Sequence, residues 1–418
     1  MVPAAAAEAL ILSLVSPLDG ADALETVALG AAAGRILAQP ISGGLDMPHW
    51  DNSAMDGYAV RHADVAQARA DQPVALALTE TIPAGQLPTQ PVAPGQAARI
   101  LTGSMLPTGA DTVVMQEKTQ RQGDQVLILE APQPGQFVRH RGSFYQAGQP
   151  LMAAGTRLGG PELAVLAAAQ CVQVPVFRRL RVAILSTGDE LVTPETPLEP
   201  GQIVDSNQYA LAALVQAAGA DPIPLGIVPD QPEALATAIR SALTQADVIL
   251  SSGGVSVGDF DYVDRILSDL GATLHIRSVA VRPGKPLTVA TFPATDTQPC
   301  PILYFGLPGN PVSALVSFWR FVEPALGKRS GLGEGWSPKF VEAVTRHPLK
   351  GGGPREIYLW GHLSPNAENP SRYDFALAGG SHSSGNLVNL AGANALAVLP
   401  VGTEILPEGE VVRVMVVR

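Results

Sequence analysis

The stretch ADVILSSGGVSVGDFDYVDRILSDLG, residues 246–271, contains an apolar run, a loop rich in serine and glycine, and an amphipathic segment. The apolar run is short and bounded by polar residues, which is typical of a strand buried on both faces. The amphipathic segment carries apolar residues at the i, i+3, i+4, i+7 spacing of a helix: Val263, Ile266, Leu267 and Leu270. The stretch predicts one strand–loop–helix unit of a mainly parallel α/β sheet.

The same scheme recurs on both sides of this stretch. RVAILSTGDE (181–190) is an apolar run that ends in a polar loop, and PILYFGLPGNPVSALVSFWRFVEPAL (301–326) repeats strand, loop and helix. In parallel sheets, ligands bind in the crevice beyond the carboxyl ends of the strands. We therefore expect three loops to line one crevice: Ser186–Glu190, Ser251–Asp261 and Gly306–Pro311.

A further helix is predicted within GQIVDSNQYALAALVQAAGA (201–220). Asp205, Ser206 and Asn207 are candidates for its N-terminal cap, and Gly219 is placed to end it.

The segments that flank this α/β region have a different texture. Residues 1–40 are rich in alanine and are predicted to be helical, whereas 41–150 alternate short apolar stretches with Gly and Pro and are predicted to be mostly β. Within 112–132 two strand-like runs flank a Gln-Gly-Asp turn, which indicates a hairpin. After residue 331 the alternation returns and predicts a small barrel or sandwich.

Composition restricts the class of protein. The 418 residues carry a formal net charge of −11, which argues against a nucleic-acid or acidic-membrane surface. The two cysteines, Cys171 and Cys300, lie far apart, so a disulfide framework is not expected. The first twenty residues are apolar but lack a basic start, and no apolar run reaches the ~18 residues that span a bilayer. A cytoplasmic protein is expected.

Seven motifs, in the same order along the chain, resemble those of the molybdopterin molybdenumtransferase family, to which the C-terminal domain of gephyrin also belongs. They are DNSAMDGYAV (51–60), RILTGSMLPTGADTVVMQE (99–117), STGDEL (186–191), GQIVDSNQYALAALV (201–215), SSGGVSVGDFDYV (251–263), VRPGKPL (281–287) and GLPGNPVSALVSF (306–318).

The resemblance implies an elongated, four-domain homodimer with a discontinuous chain. It implies an α/β molybdopterin-binding domain similar to molybdopterin adenylyltransferase, a linking or dimerisation domain, an inserted β-rich domain and a C-terminal β-barrel domain, with the bounds 1–25 plus 178–331, 26–44 plus 148–177, 45–147, and 332–418.

The resemblance also implies an activity. The substrate would be adenylylated molybdopterin; with molybdate and Mg²⁺ the enzyme would cleave the phosphoanhydride, release AMP and load molybdenum onto the dithiolene. The partner adenylyltransferase is a candidate for direct transfer of the intermediate. The residues do not distinguish molybdate from tungstate, because the two oxyanions have nearly the same shape and charge.

In the opening stretch, glycine would let a phosphate approach the backbone, and the neighbouring acids would hold its Mg²⁺. The candidate phosphate-binding residues are Ser251, Ser252, Gly253, Gly254 and Asp259. The candidate catalytic and metal-binding acids are Glu190 and Asp261. The alternative for Asp259 is that it caps the helix starting near Phe260.

The loop after the next strand contains Pro308, Gly309, Asn310 and Pro311. Asn310 and Pro311 are typical of a helix start, and the same rigid loop can also receive an anion. The family has matching prolines that line the site, so we expect both roles.

Arg282 and Lys285 flank a Pro-Gly turn and are candidates to hold molybdate or a terminal phosphate, although a solvated turn is the alternative. Arg282 stands where lysine is common in the family. Arg355, Ser383 and Ser384 would reach the pterin or its phosphate.

The resemblance assigns functional weight to Asp56 and Thr102 in the inserted segment, which would complete the site across the dimer interface. One stretch departs from the family: Ser143 and Phe144 stand where two acids are common. Phe144 and Arg282 leave a catalytically weakened paralogue as one alternative to an active enzyme. A scaffold that retains molybdopterin binding is another, because the gephyrin relative also clusters receptors.

Two further side chains are expected to be solvated. Asp264 lies within the predicted helix of the opening stretch, and His382 is a lone histidine in a loop.

Overall fold

The computed structural model describes residues 1–253, 260–295 and 299–417, with the backbone alone at residues 21 and 260–262. The helices are α1 (Ala4–Ser13), α2 (His62–Val65), α3 (Gly160–Ala168), α4 (Asn207–Ala217), α5 (Pro232–Leu243), α6 (Phe260–Asp269), α7 (Pro311–Ser317) and α8 (Glu323–Arg329), with a π-helical turn at Phe318–Val322 between the last two.

The strands follow in chain order. Those of the first part of the chain are β1 (Leu24–Ala28), β2 (Ile41–Ser42), β3 (Asn52–Ser53), β4 (Gly57–Val60), β5 (Val74–Ile82), β6 (Gln96–Ile100), β7 (Thr112–Met115), β8 (Thr119–Gln122), β9 (Gln125–Ile128), β10 (Val138–Arg139), β11 (Pro150–Met152) and β12 (Gln173–Phe177). The central part contains β13 (Arg181–Thr187), β14 (Leu191–Val192), β15 (Ile203–Val204), β16 (Asp221–Val228), β17 (Val248–Ser252), β18 (Thr273–Ser278), β19 (Val281–Arg282), β20 (Pro286–Phe292) and β21 (Ile302–Leu307). The last part contains β22 (Phe340–Thr345), β23 (Leu349–Lys350), β24 (Glu356–Pro365), β25 (Tyr373–Leu377), β26 (Ala395–Leu399), β27 (Ile405–Leu406) and β28 (Val411–Val416).

The chain forms two compact units. The first consists of residues 1–39, 154–163 and 173–418, and the second of 40–153 and 164–172. The β-rich segment is therefore inserted into the first unit, which confirms that part of the predicted fold. The four-domain bounds proposed from the sequence are finer than this division and stay a prediction.

The first unit is built on a six-stranded sheet in the order β16-β13-β17-β21-β20-β18. β16, β13, β17 and β21 are parallel and β20 runs antiparallel to β21, whereas β18 pairs antiparallel with β20 and therefore runs in the direction of the first four strands. Val182, Ile184 and Leu250 are buried in cores on one face and Leu185 and Ile249 on the other, as expected for strands covered on both sides. The predicted mainly parallel α/β sheet is confirmed.

The helices bury one face each against this sheet. In α5, Leu235 and Ile239 are buried one turn apart, and in α6 Val263 and Leu267 repeat the pattern. Burying such a side chain stabilises the fold by about 1.5–3 kcal/mol. α4 ends, as predicted, before Gly219, whose φ of 88° is the left-handed conformation of a helix C-cap.

The last part of the first unit is a closed barrel. β24, β25, β22, β28 and β26 pair in turn, and β26 pairs back with β24. β19 extends from the central region and pairs in parallel with β24, so that Val281 lies opposite Glu356 and Arg282 opposite Ile357. This pairing joins the barrel to the α/β region, and buried residues of both contribute to one core.

The second unit contains a six-stranded sheet in the order β7-β4-β6-β5-β9-β8. β8 and β9 form the predicted hairpin, with Gln122 opposite Gln125 and a two-residue turn at 123–124. Gly123 takes a φ of 58°, which a non-glycine residue rarely adopts.

The helical prediction for residues 1–40 is wrong beyond α1. Leu24–Ala28 is a strand that pairs antiparallel with β12. Pro17 and Gly20 break the alanine-rich helical pattern before this segment, and the strand pairing is supplied by residues about 150 positions away, which local propensity does not reveal. Within the described residues, no helix is long and apolar enough to cross a membrane.

Candidate active site

The carboxyl ends of β13, β17 and β21 lie side by side, since Ser186 is opposite Ser252 and Ser252 is opposite Leu307. The loops that follow line one cavity of about 660 Å³, here called the acidic cleft. Its lining includes Thr187, Glu190, Asp205, Asn207, Asp230, Ser252, Gly253, Pro308, Gly309, Asn310, Pro311 and Ser313.

Gly253 is required by a close approach between two of these loops. Its φ is 96°, and a Cβ atom on it would lie 2.1 Å from the Thr187 carbonyl oxygen. Gly309 also packs against Gly253, because a Cβ atom on Gly309 would lie 3.5 Å from the Gly253 Cα. A side chain at Gly253 would therefore move the loops apart.

The Asn207 side chain ties the second and third loops together. Its Nδ2 donates to Ser252 Oγ at 2.6 Å and to the Gly309 carbonyl oxygen at 2.8 Å. The sequence offers Asn207 as one candidate cap for α4, but the Gln208 N–H is accepted by Asp205 Oδ1, at 3.1 Å. The buried Asn207 side chain instead connects Ser252 to Gly309.

Ser251 is placed differently from Ser252. It lies inside β17, opposite Leu185 and Gly306 on the neighbouring strands, and its hydroxyl is 2.6 Å from the Tyr304 hydroxyl. Ser251 is thus part of the sheet interior, whereas Ser252 and Gly253 line the acidic cleft.

Among the side chains that the structure describes, three acids line the acidic cleft: Glu190, Asp205 and Asp230. Glu190 and Asp230 are exposed, whereas Asp205 is only 2% exposed. Glu190 is brought to Asp205 by the short β14–β15 pair, in which the Ile203 N–H donates to the Glu190 carbonyl oxygen. The cleft is therefore suited to a cation or to hydrogen-bond donors.

Sequence reasoning missed Asp230. It follows β16, whose Val228 lies opposite Thr187, so it is placed at the same edge of the sheet. The signal was available: PLGIVPDQPEALATAI (224–239) is a further apolar run, polar loop and helix.

Part of the opening stretch lies outside the described residues. Gly254 and Asp259 fall there, and for Asp261 the structure gives the backbone alone, in the first turn of α6. Their predicted roles in binding phosphate and metal stay predictions. Within the described residues, no three His, Cys, Asp or Glu side chains converge as a metal site.

A second cavity of about 690 Å³ adjoins the first and is here called the basic pocket. Its charged lining residues within the described chain are Arg282, Lys285, Lys350 and Arg355, with no acid among them. Ser383 and Ser384 line it as well. In a chain of net charge −11, this arrangement selects for anions.

The basic pocket lies at the β19–β24 seam. β19 carries Arg282, the Glu356 N–H donates to the Ala280 carbonyl oxygen at 2.9 Å, and Arg355 directly precedes β24. The pairing of the barrel with the α/β region is what brings the two arginines to one pocket.

The two cavities share Pro286, Asn310 and Ser313 in their walls. Asn310 occupies the N-cap position of α7, but its side chain makes no capping hydrogen bond within the described residues. The Val312 N–H donates to the Ser384 carbonyl oxygen at 3.1 Å, so the loop before α7 is also attached to the Ser383–Ser384 segment. One loop therefore serves both cavities.

Two side chains expected to be solvated are held by tertiary contacts. The His382 ring packs on Trp360, with 4.4 Å between ring centroids, and its Nε2 lies 2.9 Å from the Ala378 carbonyl oxygen. Asp264 is 9% exposed and forms an ion pair with Arg277 at 2.6 Å. Both predictions were wrong because the contacting residues come from other elements of the fold.

In the second unit, Asp56 and Thr102 lie together. The Thr102 backbone N–H and hydroxyl both donate to Asp56 Oδ1, each at 2.7 Å. These two hydrogen bonds, the backbone one foremost, hold the pKa of Asp56 below its usual value. The exposed Asp56 side chain is thus kept ionised.

The departure at Ser143 and Phe144 leaves an exposed aromatic residue: Phe144 is 71% exposed. The same loop region still holds two carboxylates, as Asp51 accepts the Arg141 backbone N–H at 2.7 Å and Asp46 accepts Arg141 Nε at 2.6 Å.

Comparison with known families identifies three matching regions. Residues 2–169 match the family described as MoeA N-terminal region (domain I and II), residues 183–328 the one described as probable molybdopterin binding domain, and residues 342–417 the one described as MoeA C-terminal region (domain IV).

Curated relatives match over nearly the whole chain. A molybdopterin molybdenumtransferase of Nostoc sp. is 58% identical over 97% of this chain and 92% of its own length. One of Bacillus subtilis is 36% identical over 94% of this chain and 90% of its own.

Solved structures match over the full length. A molybdopterin biosynthesis moeA protein of Pyrococcus horikoshii superposes with a TM-score of 0.83 at 29% identity, covering 100% of both chains. A further molybdopterin biosynthesis moeA structure from Pyrococcus horikoshii gives a TM-score of 0.79 at 31% identity, over 100% of this chain and 99% of its own.

Gly253→Ala tests the geometry of the acidic cleft. The left-handed φ alone costs about 1–2 kcal/mol for a residue with a Cβ, and the overlap with Thr187 adds to that cost. We expect a lower unfolding midpoint in urea.

The matched control is Gly385→Ala in the wall of the same cleft, where a Cβ meets nothing within 4 Å. It should change stability by no more than about 0.5 kcal/mol. Equal effects of the two substitutions would contradict the close approach described at Gly253.

Proposed function

This chain belongs to the molybdopterin molybdenumtransferase family, transferases of molybdenum cofactor biosynthesis, and from that premise we propose that it inserts molybdenum into molybdopterin by consuming the adenylylated form. Water attacks the phosphoanhydride, so that AMP leaves and the molybdopterin phosphate is freed; molybdate then binds the two dithiolene sulfurs, and one of its oxygens leaves as water with the two thiol protons. The observation that carries this proposal is the pair of adjoining cavities with opposite charge.

The basic pocket supplies what a tetrahedral dianion requires. Unit charges about 4 Å apart attract by about 4 kcal/mol near a protein surface, so two or three cations suffice to hold molybdate. Arg282 and Arg355 offer planar pairs of donors, and Lys285 offers a compact charge. The hydroxyls of Ser383 and Ser384 add neutral donors. Tungstate would meet the same charges and donors.

The acidic cleft supplies the binding site for the phosphoanhydride and its cation. Because the Ser252 hydroxyl accepts from Asn207, its own proton is available to a phosphate oxygen. The close approach at Gly253 lets a phosphate reach the backbone. Pro308, Gly309 and Pro311 hold the opposite wall rigid.

The family implies Mg²⁺, and the described residues fit it. Asp205 is buried, and its Oδ2 has no hydrogen-bond partner among the described residues, which is the state expected of an oxygen that binds a cation. Glu190 and Asp205 would hold Mg²⁺ from the described side chains, together with Asp261 as predicted. When bound, Mg²⁺ neutralises charge on the phosphates as the bond breaks.

We further propose a cytoplasmic homodimer, with molybdopterin adenylyltransferase as the partner that delivers the substrate. Asp56 of the partner subunit, with its Thr102, would complete the acidic cleft of each protomer. The ionised carboxylate of Asp56, held by Thr102, is suited to orient a water or a ribose hydroxyl.

The alternatives are a weakened paralogue and a molybdopterin-binding scaffold. The exposed Phe144, at a position where an acid is common in the family, favours the weakened paralogue. It would bind adenylylated molybdopterin without releasing AMP, as would a scaffold.

Glu190→Gln is expected to slow AMP release from adenylylated molybdopterin, with molybdate and Mg²⁺ present, by about 100-fold or more in kcat/KM. The amide keeps the shape of the side chain but removes the charge that faces the cation. The control Glu195→Gln changes an exposed acid nearby that does not line the cleft, and should keep wild-type activity. AMP is followed by chromatography and the product by its molybdenum content.

A wild-type protein that binds the substrate but releases no AMP would support the paralogue or the scaffold. Equal rates for Glu190→Gln and wild type would remove Glu190 from the proposed machinery.

Mixed dimers test the shared site. Asp56→Ala and Lys285→Ala should each be inactive alone, because each removes one component from every site. Coexpression should restore about a quarter of the wild-type specific activity, since half of the dimers are mixed and each contains one intact site. If the two residues belong to the same protomer's site, every site in the mixture has a defect and coexpression restores nothing.

A further inference from the structure

The segment Asp205-Ser206-Asn207 at the start of α4 contains two buried polar side chains that the sequence indicated only as candidates for the helix cap. Asp205 is 2% and Asn207 7% exposed, and both line the acidic cleft. The hydrogen bonds of each side chain involve only one of its two terminal polar atoms.

The orientation of the Asn207 amide is fixed by its partners. The Gly309 carbonyl oxygen can only accept, so the atom 2.8 Å from it must be Nδ2. Oδ1 is then the remaining atom. It is buried, and it has no hydrogen-bond partner within the described chain.

In Asp205 too, only one of the two terminal atoms has a hydrogen-bond partner among the described residues. Oδ1 accepts the Gln208 N–H, which is the capping contact. Oδ2 is buried and lacks a partner in the part of the chain that the structure describes. Capping needs a single oxygen, and Ser would supply it without a buried charge. A buried acceptor left unpaired costs about 1–3 kcal/mol, and more when it is charged. An acid at this position is therefore explained by a ligand rather than by the helix.

The chemistry of that ligand follows from the two atoms. Both are oxygens that accept only, and no Lys or Arg is among the described residues that line the acidic cleft. Carboxylate and amide oxygens are the ligands of Mg²⁺ and Mn²⁺. A Mg–O contact of about 2.0–2.1 Å is also shorter than a hydrogen bond from water, so a cation can reach an oxygen that water does not.

We propose that Asp205 Oδ2 and Asn207 Oδ1 bind the divalent cation of the acidic cleft, directly or through its bound waters. This inference rests on the proposed function, which places a cation there. It adds a consequence: the Asn207 side chain that binds the cation also holds Ser252 and Gly309, so that cation binding orders both phosphate-facing loops.

Asp205→Asn is the direct test. Asn keeps the shape and the capping acceptor, whereas the negative charge is lost and an NH2 donor replaces Oδ2, the oxygen proposed to face the cation. The probe is Mn²⁺ alone, titrated into the full-length protein and followed by the decrease of the free Mn²⁺ signal in electron paramagnetic resonance. We expect Mn²⁺ affinity to fall by about 10-fold or more.

The matched control is Asp221→Asn. Asp221 begins β16 and thus lies at the opposite end of the strands, exposed, with Arg179 3.6 Å away. The Asp221→Asn substitution removes a negative charge from the same sheet. It should leave the Mn²⁺ affinity within about 2-fold of wild type, as expected for a screened surface charge. Circular dichroism verifies that each variant is folded. Asp205→Ser, which keeps the cap alone, replaces Asp205→Asn if the latter does not fold.

Unchanged Mn²⁺ affinity in a folded Asp205 variant overturns this inference and leaves the proposed function standing. A wild type that binds no Mn²⁺ overturns both the inference and the cation-dependent part of the proposed function. Wild-type crystals soaked in Mn²⁺ give an answer without any variant: the anomalous peak should lie at Asp205 and Asn207, and a peak elsewhere in the cleft contradicts the assignment.

Discussion

The site depends on the parallel register of β13, β17 and β21, because this register places their carboxyl ends at one edge of the sheet. It also depends on the Asn207 amide, which connects the loops that follow β17 and β21. The register places Ser252 beside Ser186 and Leu307, and the Asn207 side chain then fixes Ser252 to Gly309. Gly253 can approach Thr187 only because it lacks a Cβ. Since all these groups are buried or in close contact, a change at one of them is transmitted to the whole cleft.

A second pairing determines the chemistry. β19 leaves the α/β region to pair with β24 of the barrel, and this seam builds a pocket of cations beside a cleft of acids. Asn310 and Ser313 lie in the wall between them. A substrate that carries an oxyanion at one end and a metal-bound phosphoanhydride at the other would be oriented by charge alone, before any specific hydrogen bond forms. Backbone pairing positions both the cations of the basic pocket and the acids of the acidic cleft, so the fold itself keeps the two sets of charges apart.

The sequence predicted those features that depend on local pattern. Apolar runs followed by polar loops and a 3.6-residue repeat identified the α/β sheet, and Gly123 and Gly219 marked a hairpin turn and a helix end, as the structure confirms. The features it missed depend on partners far away in the chain. Asp264 is buried because Arg277 reaches it from β18, and His382 is ordered because Trp360 of β24 supplies a surface for its ring. Likewise, β1 is a strand because β12 pairs with it. Asp230 is the exception, since it followed a strand-like run and was overlooked.

The central claim is that the two adjoining cavities divide the substrate by charge, with the oxyanion in the basic pocket. Anomalous diffraction from wild-type crystals soaked in tungstate, which shares the shape and charge of molybdate, tests it most directly. The account predicts a dominant tungsten peak within hydrogen-bonding distance of oxyanion donors on Arg282, Lys285 and Arg355. A dominant peak in the acidic cleft, or a basic pocket that stays empty at saturating tungstate, would contradict it.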